Sequence, residues 1–356
     1  MKLFINGRFL TQSVTGVQRY SIELIKELDQ LIEIGAIKGE FIILSPKNIT
    51  NGITFKNIKV KKIGLLTGHA WEQIELPLYT MGKLLFNPCG PAPMFKTRQV
   101  VTIHDMAVFS NSVAFTKLFV IWYKIIFFFI GKLSKKIFTV SNFSKDELVN
   151  YLKIKESKII VTHLGKEHIT ELQSDNNILS EYNLTKKKYI LAVSSMSPNK
   201  NFDAIVKAID FIKNKNNYDI VIAGGTHPKV FNKKLEVLPS NIKHVGYVSD
   251  NELKALYENA LCFVFPSYYE GFGLPPLEAM ALKCSVIVSD RSSLPEVAGN
   301  NALLCNPDNP EDIAMKIVQF KVDSFRESYE LKGYNRAQDF SWKKCTEKTI
   351  NELKDL

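Results

Sequence analysis

Cysteine is scarce: Cys89, Cys262, Cys284, Cys305 and Cys345 lie far apart in 356 residues and never form a Cys-x-x-Cys pair. That spacing excludes a disulfide framework and a cysteine zinc site, and it fits packing residues of a cytoplasmic protein. No secretory leader is expected either, because Met1 to Ile5 already reads as a first strand with no apolar run and small-residue cleavage site behind it. Long charge-free hydrophobic runs are absent too. The most apolar stretch, residues 114 to 138, is cut by Lys117, Lys124, Lys132, Lys135 and Lys136 into pieces far shorter than the roughly 18 residues a membrane span requires. No zinc finger, RNP or helix-turn-helix pattern occurs, so nucleic acid is not expected as a partner.

What is present is an ordinary globular composition, 46% hydrophobic and 23% charged, at a length that suggests two domains with separate cores. The net charge of +10 is unevenly shared. Residues 1 to 170 hold 23 basic against 12 acidic side chains, while the remainder is nearly neutral. Such asymmetry suits an anionic surface facing the first half. Within residues 114 to 138, basic side chains beside Phe119, Trp122, Phe127, Phe128 and Phe129 fit two readings: a helix lying in the interface of an anionic membrane, or a buried core helix.

Short apolar runs alternate with helical patterns along the whole chain. Leu3 to Ile5, Phe41 to Leu44, Val60 to Ile63, Gln99 to Ile103, Ile137 to Val140 and Ile159 to Thr162 read as strands. Residues 69 to 85 read as a helical segment with Pro77 as a kink, and Leu85 to Pro88 as the way out to a glycine and proline loop. From Tyr189, strands at 189–194, 219–223, 243–248, 261–265 and 285–289 alternate with helices near 201–213, 229–236, 250–259 and 275–282. Such alternation predicts α/β architecture: two Rossmann-like, doubly wound parallel-sheet domains with a cleft between them. The polar stretch ending in Lys186-Lys187-Lys188 places a linker at 171–187, between domains of 1–170 and 188–339.

The chain is organised around Phe265-Pro266-Ser267-Tyr268-Tyr269-Glu270-Gly271-Phe272-Gly273-Leu274-Pro275-Pro276-Leu277-Glu278. A buried strand ends at Phe265, and a helix with proline in its first turn begins near Pro275. Gly271 and Gly273 between them can take positive φ and let a ligand approach the backbone, while the helix N-terminus favours an anion. Glu270 and Glu278 bracket that place as acceptors for hydroxyl groups, a combination that suggests a sugar nucleotide. Thr15-Gly16 offers amides at another helix start, either a plain N-cap or a second anion contact. His104 follows the apolar strand 99–103, where open α/β sheets place their sites, and it either serves a site or satisfies local backbone. Lys200, between the first strand and helix of the second half, can reach a phosphate as a point charge or stand exposed at a helix start.

The stretch from Pro266 to Glu278 resembles the paired-glutamate signature of retaining GT-B glycosyltransferases of family 4, the superfamily of glycogen synthase and bacterial mannosyltransferases. Gly246-Tyr247-Val248-Ser249 and Ser289-Asp290-Arg291-Ser292-Ser293-Leu294-Pro295-Glu296-Val297 extend the resemblance over nearly the whole chain. It implies a GT-B fold whose last helix, about 340–356, crosses back to the first, acceptor-binding domain. It also implies a retaining transfer of a hexosyl group, mannose, rhamnose or similar, from a nucleoside diphosphate sugar to an oligosaccharide or lipid-linked acceptor in surface polysaccharide assembly.

In that reading His104, Glu270 and Lys200 are catalytic. Gly16, Lys200, Val248, Glu270, Gly271, Phe272, Gly273, Leu274 and Glu278 bind the donor, with Val248 meeting the base and Glu278 the ribose. The family often has an arginine where this chain has Ser195, and Arg19 or Arg291 are the substitutes available. No cofactor is expected, and no metal, because no Asp-x-Asp pair appears and amides with Lys200 take the charge-neutralising role. The expected place is the cytoplasm, with a peripheral position on the inner face of the plasma membrane through the basic first domain. Two rivals remain: an epimerase of the same architecture and a non-catalytic sugar-nucleotide or lipid-binding subunit.

Overall fold

The computed structural model describes residues 1–50, 52–110, 116–193, 197–212, 218–225 and 242–356. Ser195 and the helix expected at 229–236 lie outside them, as do the ends of the segments expected at 114–138, 189–194 and 201–213. Two compact units result: Met1–Gly165 with Ser341–Leu356, and Lys166–Phe340.

The first unit holds a seven-stranded, fully parallel sheet in the order β3-β2-β1-β4-β5-β6-β7. Its strands are β1 (Lys2–Asn6), β2 (Glu40–Ser45), β3 (Lys59–Lys62), β4 (Leu85–Asn87), β5 (Gln99–Thr102), β6 (Lys136–Thr139) and β7 (Ile159–Val161). All but β3, an edge strand of exposed residues, and the rim strand β7 are buried along nearly their whole length, which is why they read as continuous apolar runs. One segment differs from the sequence reading. Leu85–Asn87 does not merely lead out to a loop but pairs as a three-residue strand between β1 and β5. Ahead of it, the helical run contains a widened π turn at Trp71–Glu75 just before Pro77, whose missing N–H cannot continue the regular ladder.

Three helices set the packing of this unit: α1 (Gly16–Glu33), α2 (Lys117–Leu133) and α3 (Asn142–Leu152). Ile126, Phe127 and Ile130 of α2 join Leu148 and Leu152 of α3 against Val101, Ile103, Ile137 and Ile159. On α1 lies the C-terminal helix, Trp342–Lys354: Trp342 is fully enclosed beside Tyr20, Thr346 Oγ1 donates to the Leu24 carbonyl at 3.3 Å, and Lys136 reaches Glu352 at 2.7 Å. The chain's last residues therefore belong to its first core.

The second unit repeats the plan with six parallel strands in the order β10-β9-β8-β11-β12-β13. They are β8 (Tyr189–Val193), β9 (Asp219–Ala223), β10 (Ile242–Gly246), β11 (Cys262–Phe265), β12 (Val286–Ser289) and β13 (Leu303–Cys305). In local numbering the order is 3-2-1-4-5-6, so β8 and β11 flank the point where the winding reverses, the place where such sheets bind ligands. One face packs Ile190, Ala192, Ile220, Ile222, Val264 and Ile287 under helices Phe202–Ile209 and Pro310–Gln319. The stretch expected as a linker is part of this unit. Helix Asn177–Glu181 lies within it, the Asp175 amide donates to the Asn251 carbonyl at 3.0 Å, and the Lys187 amide donates to that of Asn259 at 2.8 Å. Its polar side chains bond the neighbouring helix too: Ser174 Oγ donates to Glu258 Oε2 at 2.5 Å, and Asn259 Nδ2 donates to Asn176 Oδ1 at 3.3 Å.

Replacing Trp342 by alanine removes a fully buried ring and is expected to destabilise the first unit by about 3–5 kcal/mol. Limited proteolysis under mild denaturation checks this. A fragment near 166–340 should outlast 1–165 in the variant, and unchanged resistance of 1–165 would refute the assignment.

Candidate functional site

At the carboxyl ends of β8 and β11, two loops are stitched together. The Tyr268 amide donates to the Asn199 carbonyl at 2.9 Å, and Asn199 Nδ2 donates to the Tyr269 carbonyl at 2.8 Å. Asn201, in the left-handed region with φ +55°, turns the chain into the helix at Phe202 and donates to the Pro307 carbonyl at 2.7 Å. The stitching brings together Lys200 and Glu270, 70 residues apart in sequence. Lys200 Nζ lies 2.6 Å from Glu270 Oε1, and Ser267 Oγ donates to the same oxygen at 2.6 Å.

Both charged side chains are mostly buried, at 19% and 13% exposure. The Glu270 backbone is fixed as well: its amide donates to Ser292 Oγ at 3.0 Å and its carbonyl accepts from Ser293 Oγ at 3.0 Å. An ammonium carries three donors, so Lys200 can hold Glu270 and still meet an anion.

Past Glu270 the chain crosses Gly271, Phe272 and Gly273 into helix Leu274–Ala281. Gly273 has φ +99°, a conformation that favours glycine, and a Cβ there would meet the Leu294 Cδ2 methyl at 2.6 Å. Phe272 is buried edge-on against Phe340. Pro275 and Pro276 have no N–H, which leaves Leu274 as the donor at the helix start and shifts the burden of anion binding onto the preceding turn. Glu278, on this helix, is buried and bonded on both oxygens: His168 Nε2 lies 2.8 Å from Oε1, and Tyr257 Oη donates to Oε2 at 3.1 Å. Val248 stands where β10 gives way to helix Asp250–Asn259, next to the N-cap Ser249, with the neighbouring Tyr247 exposed.

In the first unit, Gly16 opens α1 behind Thr15, whose capping box with Gln18 closes the turn, and a Cβ at Gly16 would meet nothing within 4 Å. Tyr20 on the same helix sets its ring edge-on to His104, 4.7 Å between centroids. His104 Nε2 lies 3.0 Å from the Pro88 carbonyl, so that nitrogen carries the proton and Nδ1 is left as an acceptor. Desolvation holds its pKa down, at about 4, and the ring is neutral near pH 7.

Of the two arginines considered as substitutes for the cation missing at Ser195, Arg291 is held between Asp290 at 3.0 Å and Asp308 at 3.2 Å, and Arg19 lies 3.7 Å from Glu23. Among the described residues no cluster of His, Cys, Asp and Glu suited to a metal occurs.

Sequence reasoning named Glu270, Lys200 and Glu278 but missed the residues that hold them. Ser267 lies inside the glycine-rich stretch and was readable as a neighbour of Glu270. Asn199, His168 and Tyr257 carry no local signal, since His168 meets Glu278 across 110 positions.

A family described as glycosyl transferases group 1 matches residues 174–338. Over the whole of both chains the sequence is 30% identical to O-antigen chain mannosyltransferase B of Escherichia coli. Among solved structures, a glycosyltransferase from Rickettsia africae aligns with a TM-score of 0.72 at 20% identity, covering 99% of this chain and 97% of that one. Anabaena Alr3699/HepE, in complex with UDP and glucose, aligns at 0.74 with 13% identity, covering 100% and 99%. At these identities the structures speak for the fold.

The depressed His104 pKa has a stability consequence. Because the unfolded histidine takes its proton near pH 6.5 and the folded one near 4, the neutral ring contributes stability above about pH 6.5 that is lost as pH falls toward 4. His104→Gln should remove up to ~3 kcal/mol of the stability change across that window. Denaturant melts at pH 7, 5.5 and 4 measure it, and parallel pH profiles for the two proteins would contradict the assignment.

Proposed function

The chain belongs to the glycosyl transferases group 1 family, and from that premise we propose a specific reaction for it. It moves a hexosyl group, mannose, rhamnose or a similar sugar, from a nucleoside diphosphate sugar onto a growing lipid-linked surface polysaccharide, retaining the anomeric configuration and needing no metal. That it is a glycosyltransferase with a two-domain α/β GT-B fold follows from the family and the two parallel sheets. Donor, acceptor, stereochemistry and metal independence are the proposal. One observation carries it: at the reversal point of the second sheet, a mostly buried Lys200 and Glu270 are bonded to each other beside the Gly271–Gly273 turn.

Breaking the bond between the anomeric carbon and phosphate leaves charge on the diphosphate. Lys200, with amides of the turn and Leu274, stabilises that charge, and the interaction strengthens as the charge develops. Glu270, anchored by Lys200 and Ser267, accepts hydroxyls of the transferred sugar. Glu278 accepts those of the ribose, and Val248 offers its backbone to the base. His104, neutral and with Nδ1 as acceptor, takes a donor-sugar hydroxyl, and Gly16 lends an amide. The leaving phosphate takes the acceptor's proton. The 30% identical mannosyltransferase supports sugar transfer to a polysaccharide acceptor.

The acceptor's lipid leads to the outer face of α2. Leu118, Ile121, Trp122, Ile125 and Phe128 recur at helical spacing and are exposed, Leu118 at 79%, while Val120, Ile126, Phe127 and Ile130 are buried on the opposite side. The core-helix reading holds for the buried side, and the exposed side is the one we propose for the membrane. Phe95, 73% exposed, meets Phe129 and widens the apolar surface. Lys117, Lys124 and Lys132 accompany it, a pairing that suits an anionic bilayer interface. No described helix is long and apolar enough to cross a membrane.

Thermal shift against GDP-, UDP- and dTDP-sugars should show stabilisation by one nucleotide class. With that donor, Lys200→Ala should lower turnover by about 10²–10³-fold, and Glu270→Gln should lower it strongly as well. No stabilisation by any of the three, or full turnover in Glu270→Gln, would refute the proposal. For the membrane, flotation with vesicles containing phosphatidylglycerol should carry the protein up, and Leu118→Glu with Ile125→Glu should abolish this. Flotation unaffected by anionic lipid content would remove the membrane reading.

A further inference from the structure

We propose that His168 and Tyr257 are positioning residues for nucleoside recognition, fixing the plane of the Glu278 carboxylate so that its remaining lone pairs meet the two ribose hydroxyls. The inference rests on the reading above in which Glu278 holds the ribose.

A carboxylate on a free side chain rotates, and its acceptor sites point nowhere in particular. Glu278 is different, because each of its oxygens has its own donor: His168 Nε2 at 2.8 Å on Oε1 and Tyr257 Oη at 3.1 Å on Oε2. Two bonds on two oxygens stop rotation about the last side-chain torsion. They use one acceptor site on each oxygen and leave one on each, which matches a vicinal diol with two O–H donors.

The donors are themselves rigid. The His168 side chain is 2% exposed and Tyr257 is fully buried, its ring edge-on to Phe263 at 5.4 Å. Burial and the adjacent carboxylate raise the Tyr257 pKa well above its ordinary value, so the phenol keeps its proton and donates.

Placement adds a second argument. Tyr257 lies on helix Asp250–Asn259, whose capping-box residue Ser249 directly follows Val248, the residue assigned to the base. One helix therefore carries both the backbone next to the base and the donor that orients the ribose acceptor. His168 comes from the short helical turn Glu167–Thr170 at the start of the second unit, far away in sequence and close in space. Together they hold the carboxylate from two elements other than its own helix.

Calorimetry on the full chain tests this, with GDP and UDP each beside its 2′,3′-dideoxy counterpart. In the parent protein the ribonucleotide should bind at least about tenfold tighter than the dideoxy form. Tyr257→Phe, which keeps the ring and its packing, and His168→Ala should each cut that ratio by roughly three- to tenfold. The cut should come through weaker ribonucleotide binding alone, and His168→Gln, which restores an N–H donor, should recover part of it.

An equal loss on both forms would make the two residues merely structural and overturn the proposal. So would an unchanged ratio in both variants while Glu278→Gln collapses it, an outcome that leaves the ribose reading standing. A ratio intact in Glu278→Gln, or no binding of either nucleotide, would overturn the ribose reading and the positioning role together.

Discussion

Two parallel strands that lie side by side while their chains wind away in opposite directions leave a gap at their carboxyl ends, and the second sheet has such a gap between β8 and β11. Polar backbone at that gap must find partners or lose stability. Here the partners are across the gap: Asn199 bonds the backbone beyond β11 twice, and Lys200 is tied to Glu270. A mostly buried ammonium and carboxylate are each expensive in isolation and tolerable as a hydrogen-bonded pair. The bond between them therefore places a positive charge and an acceptor within one bond length of each other beside a glycine-rich turn.

The two glutamates eight positions apart have been given different surroundings by this architecture. Glu270 lies on the loop, held by an ammonium and a serine hydroxyl. Glu278 lies inside the helix, held by an imidazole and a phenol. Identical side chains thus present acceptors in two settings, one beside an ammonium and one between an imidazole and a phenol. Between them stands a glycine with φ +99°, where Leu294 lies close to the place a Cβ would take.

Much of this was readable from residues alone. Strands buried on both faces declare themselves as β-rich apolar runs, and the second unit's first five were legible to within two residues at either end. Leu85–Asn87 was not, because three residues running into Pro88 carry too little pattern to distinguish a strand from a loop, and only its neighbours β1 and β5 make it one. Leu303–Cys305 was missed for the same reason. In the site, chemistry-bearing residues could be named from their position after strands and in the signature. Their partnerships could not. Lys200 with Glu270 and His168 with Glu278 are separated by 70 and 110 positions, and no periodicity records a contact made by folding.

The Lys166 ammonium donates to the carbonyl of Phe340 at 3.1 Å, so the first and last residues of the second unit are bonded to each other. That unit is contiguous in sequence, whereas the first is closed by helix Trp342–Lys354, whose Thr346 meets Leu24 across 322 positions. The first core therefore depends on contacts of far longer sequence separation than the second, and such topology slows the step that completes it.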